Sequence, residues 1–207
     1  MSKAYDVVRL LESEVAEFCG APFGVAVESC SAAIFLCLKY LQHKNDLPET
    51  IKIPRFTYPS VANAVIHCGS VCDFHDAKWQ KDGYYVLRPT NIVDSAKYMA
   101  REMYKRDGFN KHFVCLSFHA KKTVPVGRGG MILTDDKNAV EWLKCARFDG
   151  RHEKALHEDT LAFAGWNMML TPEQAARGLE LMQWLKDENL LPPDPYTDLS
   201  KYSFYKL

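Results

Sequence analysis

The sequence has no excess charge of either sign: 26 Lys and Arg balance 26 Asp and Glu over 207 residues. That balance gives no footing for nucleic acid or an anionic membrane. It has no apolar run long enough to span a bilayer. Acidic residues interrupt its N-terminal stretch, MSKAYDVVRLLESEVAEF, which therefore does not read as a signal peptide. It also lacks any Cys-x-x-Cys pair. Its seven cysteines (19, 30, 37, 68, 72, 115 and 145) are odd in number and scattered, and Cys37 and Cys115 lie inside apolar runs. Reduced thiols of the cytoplasm explain this better than a disulfide framework. Cys68 and Cys72 with His67 and His75 lack two further ligands and straddle a break at Gly69, so no metal site is expected. There is no internal repeat and no clear linker before about residue 187. What is present, 47% apolar and 25% charged residues, predicts a soluble protein with one sizeable domain.

Periodicity predicts an amphipathic helix over 4–19, with Val7, Leu11, Val15 and Phe18 on one face. Helices are further expected over 29–41, 60–67, 136–147 and 172–186. The last opens with Thr171 as N-cap, Pro172 at the first helical position and Gln174 placed for a capping box. Short apolar runs at 24–27, 51–54, 71–74, 84–87, 92–93, 113–116 and 131–134 read as strands. Strands alternating with helices predict an α/β domain, three layers of α/β/α around a mainly parallel sheet. The last segment, LLPPDPYTDLSKYSFYKL, is rich in proline and tyrosine and is expected to be an extended arm lying on a surface. The domain plan is thus 1–187 with a tail over 188–207.

In such sheets ligands sit beyond the carboxyl ends of the strands, so the residues just after each strand matter. After the first comes ESCSAAIF, which is either a plain Ser N-cap or an anion site at a helix N-terminus. After the second comes PRFTYPS, whose Tyr58 can stack on a planar ligand or simply pack. Asp94 closes the run NIV, as a cap or as the partner of a heterocyclic N–H. Ser117 closes HFVCL and is followed by Lys121 and Lys122, a pair that alone reads as solvated surface. Glycines 127, 129 and 130 lack the spacing of a dinucleotide loop.

Taken together and in order, the segments SCSAA, PRFTY, DSAK, SFHAKK, GRGG and GWNMMLTPEQAARGLELM resemble the DegT/StrS family of pyridoxal-phosphate (PLP) dependent sugar aminotransferases. The resemblance runs from about residue 12 to 186 and implies the large domain of a fold-type-I PLP transferase. It matches Lys122 to the Schiff-base lysine, Asp94 to the acid facing the pyridine nitrogen, and Tyr58 to the aromatic on the ring. Ser31 and Ser117 match phosphate-binding positions. Asn167 matches an asparagine that reaches the phosphate of the neighbouring subunit, which implies a homodimer with composite sites. The implied reaction moves an amino group from an amino acid to a keto sugar or related carbonyl compound, such as a nucleotide sugar.

Departures accompany the match. Cys30 stands where the family's phosphate turn has glycine, and Lys97 stands where it has glutamine, which predicts a second cation beside the cofactor. Arg128 replaces a glutamate, Met169 an arginine, and the family's C-terminal small domain has no counterpart in this sequence. Another PLP reaction (decarboxylation or elimination), or a non-catalytic scaffold completed by a partner, are the alternatives these departures leave open.

Overall fold

A computed structural model describes residues 3–205; residues 1–2 of the expected domain and 206–207 of the expected tail lie outside the described residues. The first helix, α1 (Asp6–Cys19), ends on Gly20, whose φ of 71° supplies the left-handed cap that a side chain would resist. Strand β1 (Phe23–Val27) leads into α2 (Cys30–His43), then β2 (Thr50–Pro54), α3 (Pro59–His67) and β3 (Val71–His75). Strands β4 (Tyr85–Leu87), β5 (Ile92–Asp94) and β6 (Tyr98–Ala100) follow, with a single helical turn α4 (Met103–Arg106). The chain continues through β7 (Phe113–Ser117), β8 (Gly130–Thr134), α5 (Lys137–Ala146), α6 (Pro172–Met182) and β9 (Glu188–Leu190). Each expected helix and strand is present, with ends displaced by a few residues. The predicted cap over α6 forms in full, Thr171 and Gln174 each bonding the other's main chain.

The central sheet runs β1-β8-β7-β5-β4, and the parallel pair β2-β3 is joined beyond β4 by mutual main-chain bonds between Lys52 and Arg88. Strands β1, β2, β3, β5 and β7 point one way, while β4 and β8 run against them. The sheet is therefore mixed, with five of its seven strands pointing the same way. Residue alternation along it separates two apolar layers. Val25, Val27, Ile92, Cys115 and Ile132 face α2, α3 and α5. Ala26, Val93, Val114, Leu116, Met131 and Leu133 face α1 and α6. That is the expected three-layer α/β/α arrangement.

One charged cluster is built into this core. Arg147, fully buried, donates to Glu12 and to the Ala26 carbonyl, and also bonds Glu153 at 3.2 Å. Glu12 in turn accepts the Ala26 N–H at 2.9 Å. The cluster ties α1 and the end of α5 to β1, and the Arg147 carbonyl accepts the Met168 N–H at 2.9 Å, fixing the 165–168 loop.

Residues 188–205 lie across the open edge of the sheet. Strand β9 pairs antiparallel with β6. The Leu199 N–H bonds the Arg55 carbonyl at 2.9 Å, and the Tyr205 hydroxyl bonds Asn63 at 2.8 Å on α3.

Candidate functional site

Because β1, β2, β5 and β7 run the same way, their carboxyl ends meet at one edge, and the segments after them line one cavity of about 1040 Å³. Of the residues singled out in the sequence, Cys30, Ser31, Tyr58, Asp94, Ser117 and Lys122 all line it. Lys97 and Asn167 do not.

The floor is Asp94. Its carboxylate is 5% exposed and its bonding partners are neutral: the Tyr85 hydroxyl donates to Oδ2 at 2.8 Å and the Ala96 N–H to Oδ1 at 3.0 Å. The Cys30 sulfur lies 4.0 Å from Oδ1 and 3.6 Å from the Cys115 carbonyl. Burial raises the Asp94 pKa, while the bonds from Tyr85 and Ala96 and the nearby charge of Lys122 pull it back. Burial also pushes the Cys30 thiol well up, with the Asp94 charge adding to it, so Cys30 stands in the cavity wall as a neutral thiol for as long as it stays desolvated.

Lys122 sits in the loop between β7 and β8, where its N–H bonds the His119 carbonyl at 2.8 Å in a tight turn. Bonds from Phe118 N–H to Gly129 (2.9 Å) and Ala120 N–H to Gly127 (3.1 Å) zip that loop to the start of β8. Gly130 explains the glycine pair. A Cβ there would lie 2.6 Å from the main-chain nitrogen of Cys30, so β8 seats directly against the first turn of α2. The lysine loop and the helix start are thereby locked together.

Two helix N-termini converge on the cavity. Ser29 caps α2 by accepting the Ala32 N–H at 3.0 Å, and Tyr58 precedes Pro59 at the start of α3. Ser31 of the first helix and Ser60 of the second share a hydrogen bond of 2.6 Å. Hydroxyls and helix amides gathered in this way have the donor chemistry to hold an anion. Tyr58 is 61% exposed and stands on the cavity rim.

Lys97 departs from its expected place. It is 1% exposed, but its ammonium is taken up by Asp194 at 3.0 Å and by the Pro192 carbonyl, so its charge is spent on residues 192–194 and not in the cavity. Asn167 is exposed on the outer loop, bonding Asp149 at 3.3 Å. Arg128 pairs with Glu28 at 3.0 Å on the rim.

Sequence reasoning missed four contributors. Tyr85 reaches Asp94 because β4 pairs with β5 in the register Tyr85↔Asp94, and Thr57 bonds the Tyr85 hydroxyl at 2.6 Å from beneath. Asp194 and Tyr196 enter the cavity lining from a segment far along the chain. Thr57 carried a local signal, since it lies within PRFTYPS, and so did its neighbour Ser60, a hydroxyl at a helix start.

The comparisons agree with this architecture. The chain is 26% identical to the spore coat polysaccharide biosynthesis protein SpsC of Bacillus subtilis (strain 168), covering 87% of this chain and 57% of that one. It thus spans little more than half the length of that relative. Its fold superposes on Helicobacter pylori PseC, an aminotransferase involved in the biosynthesis of pseudoaminic acid, with TM-score 0.67 at 19% identity (86% of this chain, 57% of that one). Spr1654 from Streptococcus pneumoniae, solved in its PLP form, gives 0.67 at 16% identity (86% and 59%). The family match runs over residues 1–92 and 92–190, and on that extent the chain belongs to the DegT/DnrJ/EryC1/StrS aminotransferase family.

Proposed function

We propose that the cavity binds pyridoxal 5'-phosphate and that the chain is an aminotransferase acting on a keto sugar or a related carbonyl compound. The observation that carries this reading is Asp94: a buried carboxylate with neutral partners, lining the same cavity as the Lys122 amine. An acid desolvated in this way is stabilised by a cation brought to it, and a protonated ring nitrogen is such a cation. The rest of the cavity also suits the group. Ser31, Ser60 and the two helix N-termini would take its phosphate, with Ser117 on the adjoining wall, and Tyr58 would cover a ring face.

When bound, PLP supplies an aldehyde that condenses with amines and a ring that accepts electrons. The protein's part is to hold and orient. The Lys122 amine would tether the group and then carry a proton to and from the substrate carbon. Asp94, oriented by Tyr85 and Ala96, would keep the ring nitrogen protonated. Cys30, a neutral thiol against the Asp94 side, would leave that charge uncontested. Lys97 takes no direct part in this reading, since Asp194 holds its charge.

The amino donor is an amino acid such as glutamate, and the acceptor a keto sugar carried on a nucleotide. The cofactor-binding unit is residues 1–187, and 188–207 is a tail whose described part, 188–205, is laid on it. The exposed position of Asn167 supports a homodimer in which it reaches the partner's cavity, and the free cysteines support a reducing, cytoplasmic setting. The test is reconstitution with PLP followed by borohydride reduction and peptide mapping. A stable pyridoxyl adduct on Lys122, with amino-donor turnover before reduction, is expected; absence of any adduct overturns the reading. Light scattering showing a monomer that binds PLP tightly would remove the composite site.

A further inference from the structure

Residues 191–196 form one wall of the cavity. Leu191, Pro192, Asp194 and Tyr196 line the cavity on one side, yet residues 192–195 are exposed on the other. The two ends of this segment are clamped by main-chain bonds. Strand β9 pairs with β6, and the Leu191 N–H bonds the Lys97 carbonyl at 2.9 Å. Beyond the segment, Asp198 bridges Phe56 and the Leu199 N–H bonds Arg55. Between these clamps the chain reads Pro192-Pro193-Asp194-Pro195, in which three residues have no N–H to give.

The middle is held instead chiefly at Asp194, with the Lys97 ammonium also bonding the Pro192 carbonyl. Asp194 accepts from the Lys97 ammonium at 3.0 Å and from the Tyr196 hydroxyl at 3.3 Å. Its main chain also exchanges two bonds with the Gln80 side chain, at 2.8 and 3.1 Å. Tyr196 then lies against Trp79, ring centroids 5.6 Å apart. A segment clamped at both ends, stiffened by proline and fastened at its centre by side chains alone is built to open locally without unfolding its neighbours.

We propose that residues 191–196 are a strap over the cavity, latched by Asp194 on Lys97 and Gln80, and that its release admits small molecules to the Cys30–Asp94–Lys122 region. The assignment of the admitted molecule as PLP rests on the function proposed above; the strap itself does not. Lys97 and Asp194 are in this view positioning residues, acting through the strap.

The test uses the full chain and the variants Asp194→Asn and Lys97→Gln. The first changes a half-exposed side chain; the second empties a buried position and is read alongside it. Hydrogen exchange of residues 188–199 reports strap opening. Alkylation of Cys30 by N-ethylmaleimide, slow while burial keeps the thiol protonated and faster once opening hydrates it, reports access to the cavity, with the fully buried Cys37 of the same helix as internal control. The rate of PLP uptake is the third measurement. In Asp194→Asn, exchange in 188–199 and labelling of Cys30 should each rise about tenfold, the factor set by losing one charge-assisted hydrogen bond. Cys37 should not change, and PLP uptake should quicken. Unchanged exchange, or faster exchange with no change at Cys30, overturns the strap as a gate. Equal acceleration at Cys30 and Cys37 also overturns it, because the variant would then be loosening the whole domain. If no form of the chain takes up PLP, the functional reading fails, and the Cys30 labelling alone decides the strap.

Discussion

The hydroxyl of Tyr85 donates to the carboxylate of Asp94 across two antiparallel strands, at 2.8 Å and out of solvent. Thr57 bonds the same hydroxyl from below. A carboxylate held by such neutral donors has a fixed direction, and the nearby Lys122 offsets its charge only in part.

Stability should depend on the ionisation of Asp94. Burial first of all holds its folded pKa above the ordinary 3.8. Between the ordinary and the raised value the folded chain therefore holds more protons than the unfolded one, and stability falls as pH rises through that window. Melting curves of the cofactor-free protein should show Asp94→Asn gaining on the parent as pH climbs from about 4, then running parallel above the raised pKa. Tyr85→Phe removes a bond that favours the charged form and should extend the window upward. A melting difference that ignores pH would sink this account.

Asp94→Asn should keep its fold, since the side chains are nearly the same size, yet lose amino-transfer activity by about ten- to a hundredfold. The amide cannot hold a proton on a ring nitrogen. Were Asp94 a mere cap, asparagine would serve about as well, and turnover would stay at the parent level. Measuring turnover and melting temperature on the same preparation separates the two cases.

Gly130→Ala should cost stability through overpacking, about 1–3 kcal/mol. The added methyl meets the main chain at Ser29 and Cys30, which cannot swing aside as a long side chain could. Because the same contact locks the Lys122 loop to the start of α2, PLP affinity should fall as well. Denaturant midpoints together with a PLP titration check both halves.

Glu12→Ala should be among the most damaging single changes, about 3–5 kcal/mol, since it leaves the Arg147 guanidinium buried without its main partner. Pairing it with Arg147→Met should recover part of the loss, because an apolar pair does not carry the cost of a buried charge. A shift in urea midpoint at unchanged slope measures each variant. A Glu12→Ala protein as stable as the parent would show that the cluster contributes little.

Most of the wall was legible in the sequence. Ser31, Tyr58, Asp94, Ser117 and Lys122 each stand within a few residues of a strand end, and parallel strands bring such ends together whatever the packing details. The continuous apolar runs of β1, β7 and β8 likewise read as strands, because a strand buried on both faces needs apolar side chains at every position. The capping box of α6 was local too, its partners only three residues apart.

What the tertiary structure alone decided concerns partners far apart in the chain. Lys97 read as a cation for the cofactor, but the nearest acid is Asp194, some hundred residues on, and a buried ammonium goes where a carboxylate meets it. Tyr85 became the orienter of Asp94 through a strand register that composition cannot specify. The proline-rich tail was expected to lie on a surface; which surface depended on pairing β9 with β6 and on Leu199 and Tyr205 finding the far side of the cavity. Short-range chemistry wrote the cavity's floor and walls into the sequence, whereas its cover, and the fate of every charge near it, were settled only when distant segments met.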